Sequence, residues 1–193
     1  MAEVDGSGTA IRSYHWGLDL SGTMGAGGVA GLLFTRHHGA GGPKTYYALY
    51  DGNGNVTGLA DPATGTAAAR YEYGPFGEPM RATGPVAATN PVGFSTKYTD
   101  EETGLVYYGY RYYSPEVGKW LRQDPYSDSG SKNLYVFCEN RPLGRIDRTG
   151  LKYDEILHIE GVPGIRHEYG ATPGMKRSTR GGGYTPTLYE EGK

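Results

Sequence analysis

The sequence predicts an all-β protein built of antiparallel hairpins, on three observations. Of its 193 residues 33 are glycine and 18 tyrosine, against only 4 phenylalanines and a hydrophobic share of 37%. Tyrosine suits a half-buried pleated surface with its hydroxyl at the rim, and glycine supplies the positive φ angles of tight turns. Apolar and polar residues alternate in short runs. Between the runs stand Asp-Gly and Asn-Gly pairs, the strongest short-range signal of a hairpin.

Taken in order, residues 1–13 (MAEVDGSGTAIRS) are small and polar and are expected to be a flexible lead-in. YHWGLDL places Tyr14, Trp16, Leu18 and Leu20 on one face and His15, Gly17 and Asp19 on the other, which is a strand. A glycine-rich stretch, SGTMGAGGVAGLLF, and a polar one, TRHHGAGGPK, lead to a second strand, TYYALY, that ends in the turn DGNGN. VTGLADPATGTAAARYEY reads as strand, turn from Asp61-Pro62 to Gly65, and strand. The punctuation then repeats: YDGNGN is echoed by YGPFGE, so that Tyr50 aligns with Tyr73 and Gly54 with Gly77. Such a repeat implies stacked β units that cannot bury their faces alone, and two are too few for a stable solenoid. Residues 81–97 form a connector. Strands follow at Leu105 to Tyr108, Tyr110 to Tyr113 and Lys119 to Arg122, with a further short one at Leu134 to Phe137. Alternation puts Tyr108, Tyr110 and Tyr112 on one face. Beyond Leu151 little periodicity remains apart from EILHIEG, so residues 152–193 are expected to form a loosely structured tail.

Several function classes are disfavoured. A net charge of −2 with both signs interspersed is unlike the clustered basic patch of a nucleic-acid binder. Cys138 is the single cysteine, so no internal disulfide framework exists and no zinc site can rest on cysteine alone. The longest apolar run, Val29 to Phe34, is too short to span a membrane, and Glu3 and Asp5 after Met1 are unlike a signal peptide; the compartment stays open. GAGGVA followed by Asp51 mimics a dinucleotide fingerprint, but there is no room for the crossover helix and Asp51 opens a turn, so no cofactor is expected. His37 and His38 face opposite sides of a strand, and His158 and His167 lack any ligand context, so no metal is expected. Lys176, Arg177 and Arg180 read as a solvated mixed-charge run.

Four segments in order carry a resemblance: YDGNGNVTGLADPATGTAAARYEYGPFGE, NPVGFSTKYTDEETGLVYYGYRYYSPEVGKWLRQDP, NLYVFCENRP and DRTGL. Together they resemble the core region of the Rhs, or YD-repeat, proteins, bacterial polymorphic-toxin proteins related to the C subunits of insecticidal toxin complexes. The resemblance covers residues 14–151, leaving 152–193 as the variable C-terminal tail. It implies a YD-repeat β-spiral whose wall and cap seal in a C-terminal effector, with the tyrosines of YYGYRYY in structural roles. The chain is then expected to be a structural shell-wall and plug segment, a C-terminal piece of a longer shell. Its partners would be the remainder of that shell or the effector, and exposed strand edges would favour self-association.

The resemblance also implies self-cleavage by an aspartyl-type reaction between two DPxG-type motifs. The matching residues are Asp124 in RQDPYS and Asp147 in IDRTGL, with the cut after Leu151. Paired carboxylates suit the chemistry, because one can activate a water while the other, kept protonated, donates to the scissile amide. Arg122 is expected to hold one of them charged. Ser127 stands where glycine is usual, and Arg148 where proline is usual; Arg148 is expected to favour the ionised form of Asp147. Cleavage is therefore expected to be weak or absent in the isolated chain. The alternatives are an active aspartyl autoprotease that releases 152–193 as an effector, and an inactive orphan fragment whose two aspartates are turn residues only.

Overall fold

A computed structural model of the chain describes residues 1–125, 133–151, 153–159 and 162–166. Seven strands follow one another as an antiparallel meander: β1 (Ala2–Val4), β2 (Ala10–Trp16), β3 (Leu32–Gly39), β4 (Gly42–Tyr50), β5 (Val56–Asp61), β6 (Thr66–Tyr73) and β7 (Pro79–Thr83). A second sheet has four short strands, β8 (Tyr98–Thr99), β9 (Val106–Tyr107), β10 (Tyr112–Ser114) and β11 (Lys119–Trp120). A third joins β12 (Arg145–Asp147), β13 (Tyr153–Ile159) and β14 (Val162–Arg166).

One turn recurs along the first sheet. Asp51 Oδ1 accepts the amides of Asn53 at 3.0 Å and Asn55 at 2.9 Å. Asp19 Oδ1 does the same for Ser21 and Thr23, and Asp5 Oδ1 for Ser7 and Thr9. An aspartate that accepts the amides two and four residues on closes a turn without help from the rest of the chain. This corrects the expectation of a flexible lead-in: DGSGT at Asp5 is the same turn as DGNGN at Asp51, and it folds residues 1–13 into β1 and the start of β2. The stretch TRHHG likewise belongs to a strand, β3, paired along its length with β4.

The alignment of the two repeats has a structural counterpart. The Tyr50 hydroxyl, at the end of β4, donates to the Leu32 carbonyl that starts β3; the Tyr73 hydroxyl, at the end of β6, donates to the Val56 carbonyl that starts β5. Gly54 and Gly77, aligned with each other, both have positive φ, +75° and +86°. A Cβ on Gly54 would lie 2.5 Å from Val29 Cγ1, and one on Gly77 2.5 Å from Phe94 Cγ, so each turn is pressed onto a core and only glycine fits.

The first sheet buries Tyr14, Leu32, Tyr46, Val56, Leu59, Ala68 and Ala69 in one core cluster. The second sheet encloses an aromatic cluster of Phe94, Tyr108, Tyr113, Trp120 and Phe137. Here the tyrosine run departs from simple alternation. Tyr108 donates its amide to the Arg111 carbonyl at 3.1 Å, so residues 108–111 turn out of the ladder. The turn reverses the phase: Tyr108 and Tyr113 are buried, whereas Tyr107, Tyr110 and Tyr112 are exposed. Tyr108 and Tyr113 pack in the aromatic cluster, and the Tyr113 hydroxyl donates to the Phe76 carbonyl at 2.7 Å, tying the cluster to the second repeat turn. The strand expected over Leu134 to Phe137 is reduced to one bridge between Lys119 and Val136. Of the tail, β13 and β14 extend the third sheet from β12 across the position of Leu151; residues 167–193 lie outside the described residues, as does Ser127.

Candidate functional site

The end of β12 carries Asp147, and the next residues, Arg148 to Gly150, turn back over it. Asp147 Oδ1 accepts the amides of Thr149 at 3.0 Å and Gly150 at 2.6 Å, a relative of the turns that punctuate the first sheet. Asp124 follows β11, with its amide fixed to the Leu134 carbonyl at 3.0 Å. The two residues are far apart in sequence, and the structure brings them to one guanidinium. Nη2 of Arg111 lies 3.1 Å from Asp124 Oδ2 and 3.6 Å from Asp147 Oδ2.

Arg111 is the residue that sequence reasoning missed. Arg122, expected in this role, is exposed instead, and Arg111, in the middle of YYGYRYY, is only 4% exposed. The 108–111 turn delivers it: the Tyr110 amide donates to the Thr149 carbonyl at 3.1 Å, docking this turn on the Asp147 turn. The guanidinium lies 4.1 Å from the centre of the Trp120 ring, and its Nε donates to the Gly150 carbonyl. The signal in the sequence was a lone cation among tyrosines, in a segment whose rings must be buried; a buried arginine needs anionic partners.

Burial acts on Asp147. Burial pushes the Asp147 carboxyl up to about 6, outweighing the amides of Gly150 and Thr149 and the cations Arg111 and Lys97, which act in the opposite direction. Arg148 was expected to favour the ionised form of Asp147; burial is the largest influence on that carboxyl, and Arg148 Nη1 donates to Ser21 Oγ at 2.8 Å. Asp124 is the more accessible partner, its side chain 15% exposed against 4% for Asp147. Chemically this is a carboxyl with a raised pKa and a second carboxyl, linked by a cation that also grips the backbone one residue before Leu151. Among the described residues no cluster of three or more His, Cys, Asp or Glu could hold a metal. His37 packs edge-on against Tyr46, and His38 pairs with Ser13 Oγ at 3.0 Å.

Comparison with known proteins agrees with this architecture. Residues 36–143 match the family model of the Teneurin YD-shell. Toxin protein Tse5 of Pseudomonas aeruginosa is 46% identical over 61 residues, 32% of this chain and 5% of that protein. Toxin subunit YenC1 of Yersinia entomophaga is 36% identical over 105 residues, 53% of this chain and 11% of that protein. Among solved structures, the TcdB2-TccC3-Cdc42 crystal structure superimposes with a TM-score of 0.52 at 32% identity, over 56% of this chain and 5% of that one. The structure of TcdB2-TccC3 without its hypervariable C-terminal region gives a TM-score of 0.55 at 20% identity, over 78% and 9%, a likeness of fold. The chain thus spans only a small part of the relatives it matches. With its meander of aspartate-closed turns, its repeat tyrosines and this match over more than half its length, the chain belongs to the Teneurin YD-shell family and is a YD-repeat, Rhs-type shell segment.

Proposed function

We propose that the chain forms the wall-and-plug end of a YD shell that encloses a C-terminal effector, and that Asp124 and Asp147 cut the chain after Leu151. The observation that carries the second part is Arg111: one guanidinium nitrogen within 3.6 Å of both carboxylates, whose Nε holds the Gly150 carbonyl beside the residue to be cut. In the reaction Asp124, the more accessible carboxylate, takes a proton from a water whose oxygen attacks the Leu151 carbonyl carbon. Asp147, its carboxyl raised toward neutrality by burial, donates its proton to the departing amine as the C–N bond breaks. Arg111 keeps the two carboxyl groups and the backbone in register, which lowers the barrier by holding the reacting groups in position.

A second reading is supported by the Asp147 turn. Its two amide bonds to Oδ1 give Asp147 a structural task that needs no catalysis. Incubation of the purified chain at pH 5 and pH 8, followed by intact mass, separates the two. Self-cleavage predicts slow growth of a product ending at Leu151, faster at pH 5 and abolished in Asp124→Asn and Asp147→Asn. A chain that stays whole, or is cut equally in both variants, leaves only the wall-and-plug role.

A further inference from the structure

A second buried cation, Lys97, stands beside the carboxylate pair and takes no part in the bond-breaking chemistry. It is 4% exposed. Its Nζ donates to the Arg148 carbonyl at 2.5 Å and to the Gly27 carbonyl, and lies 5.4 Å from the centre of the Tyr108 ring. Burying an ammonium is costly unless its donors are satisfied, and here backbone carbonyls from two distant turns satisfy it.

The local backbone is bent to deliver it. Ser95 and Thr96 adopt left-handed φ angles of 50° and 55°, a conformation that non-glycine residues take at a cost and keep only when surroundings compel it. The compulsion is visible: the Ser95 amide donates to Asn55 Oδ1 at 2.8 Å, and Thr96 Oγ1 donates to the Gly54 carbonyl and accepts the Ala30 amide, both at 2.7 Å. Residues 95–97 therefore gather the turns at 27–30 and 54–55 of the first sheet and, through Lys97, the turn that carries Asp147. On that turn Lys97 holds the carbonyl of Arg148, Arg111 holds that of Gly150, and Asp147 itself holds the amides of Thr149 and Gly150.

We propose that Lys97 is a positioning residue for the carboxylate pair: it fixes the Asp147 turn to the Gly27 loop of the seven-stranded sheet, so that the pair is set only when that sheet is docked, and its ammonium, held on the Arg148 carbonyl next to Asp147, favours the ionised carboxylate. The proposal rests on the reading of Asp124 and Asp147 as a functional pair. The groups that face Asp147 are Arg111 and Lys97, with Asp124 joined through Arg111; those that face Lys97 are Asp147, Asp19, Arg148 and the Tyr108 ring. Burial pushes the Lys97 amine down to about 8, while Asp147 and Asp19 act in the opposite direction.

The test uses the full chain and does not depend on cleavage. The Asp147 carboxyl is titrated by carbon-13 NMR, and the Gly150 amide followed by hydrogen exchange, in the wild type, Lys97→Met and Lys97→Arg. In Lys97→Met the Asp147 midpoint should rise by about one pH unit and Gly150 should exchange roughly tenfold faster, with Leu59 unchanged; Lys97→Arg should restore most of the midpoint. A purely structural lysine would alter exchange without moving the midpoint. If Lys97→Met fails to fold, the wild-type Lys97 ammonium decides: its protons should exchange slowly and respond to the titration of Asp147. A folded Lys97→Met chain with an unmoved midpoint, or an ammonium indifferent to Asp147, overturns the proposal. A chain that shows the shift but never cuts itself retains this role for Lys97 and loses only the self-cleavage reading.

Discussion

Nη2 of Arg111 lies 3.1 Å from Oδ2 of Asp124, at a point where the arginine side chain is almost closed to solvent. Removing one partner of such a pair leaves an uncompensated buried charge. Arg111→Met keeps an apolar stem against Trp120 but strands both aspartates, and should cost about 3–5 kcal/mol. Arg111→Lys should recover only part, because one ammonium cannot reproduce the planar fork that spans Asp124, Asp147 and the Gly150 carbonyl. Urea denaturation of the three chains measures this; an unchanged midpoint in Arg111→Met would show that the cation holds nothing together.

Local chemistry was legible in the sequence and long-range chemistry was not. Asp51-Gly52 announced its turn because an aspartate that closes a turn does so with amides two and four residues away. DGSGT at Asp5 carries the same chemistry, yet its small polar neighbours obscured it. Asp124 and Asp147 came from a motif, and their meeting could not be read from spacing, since a buried guanidinium from a third segment brings it about. Arg111 was hidden by its neighbours: a strict two-residue alternation assigns faces to YYGYRYY only while the strand continues, and the 108–111 turn shifts the phase. Lys97 was hidden for a related reason, because the left-handed pair Ser95-Thr96 that aims it inward follows from contacts with Asn55, Gly54 and Ala30.

The repeat glycines differ from ordinary turn glycines, and this is measurable. At Gly77 an alanine would meet both a left-handed backbone and Phe94 Cγ at 2.5 Å. Left-handed strain of about 1–2 kcal/mol then adds to an overpacking cost of about 1–3 kcal/mol. Gly65 has φ of +70° but open space around it, so Gly65→Ala should cost only the first amount, about 1–2 kcal/mol. Equal destabilisation of the two variants in thermal unfolding would remove the packing argument.

Self-association should run through a face more than an edge. The edge strand β7 is exposed throughout but carries Pro79 and Arg81, which discourage added strands. The outer face of β3 and β4 instead presents Leu33, Tyr47 and Leu49, each about half exposed, with Tyr47 in edge contact with Phe34. Light scattering at rising concentration should show oligomers in the wild type and fewer in Leu49→Lys. A monodisperse monomer in both would exclude this face.

The Asp147 carboxyl predicts an inverted pH dependence. Its pKa rises from an ordinary 3.8 to about 6, chiefly by burial. Between those values the folded chain holds a proton that the unfolded chain has released, so this group's contribution is fully present below about pH 4 and is lost as pH rises through about 6. A shift of roughly two units corresponds to a loss on the order of 3 kcal/mol. Glu139, held below the usual carboxylate range by its bond to Arg145, acts with the opposite sign, but it is common to wild type and variant and cancels in their difference. Asp147→Asn keeps an oxygen for the Thr149 and Gly150 amides and cannot titrate. Unfolding free energies measured from pH 4 to pH 7.5 should therefore show the wild type losing stability relative to Asp147→Asn, with the steepest change between about pH 4 and 6 and little further change above about 6.5. A difference that stays flat across this range would mean that Asp147 is ionised throughout, and would take away the proton on which cleavage after Leu151 depends.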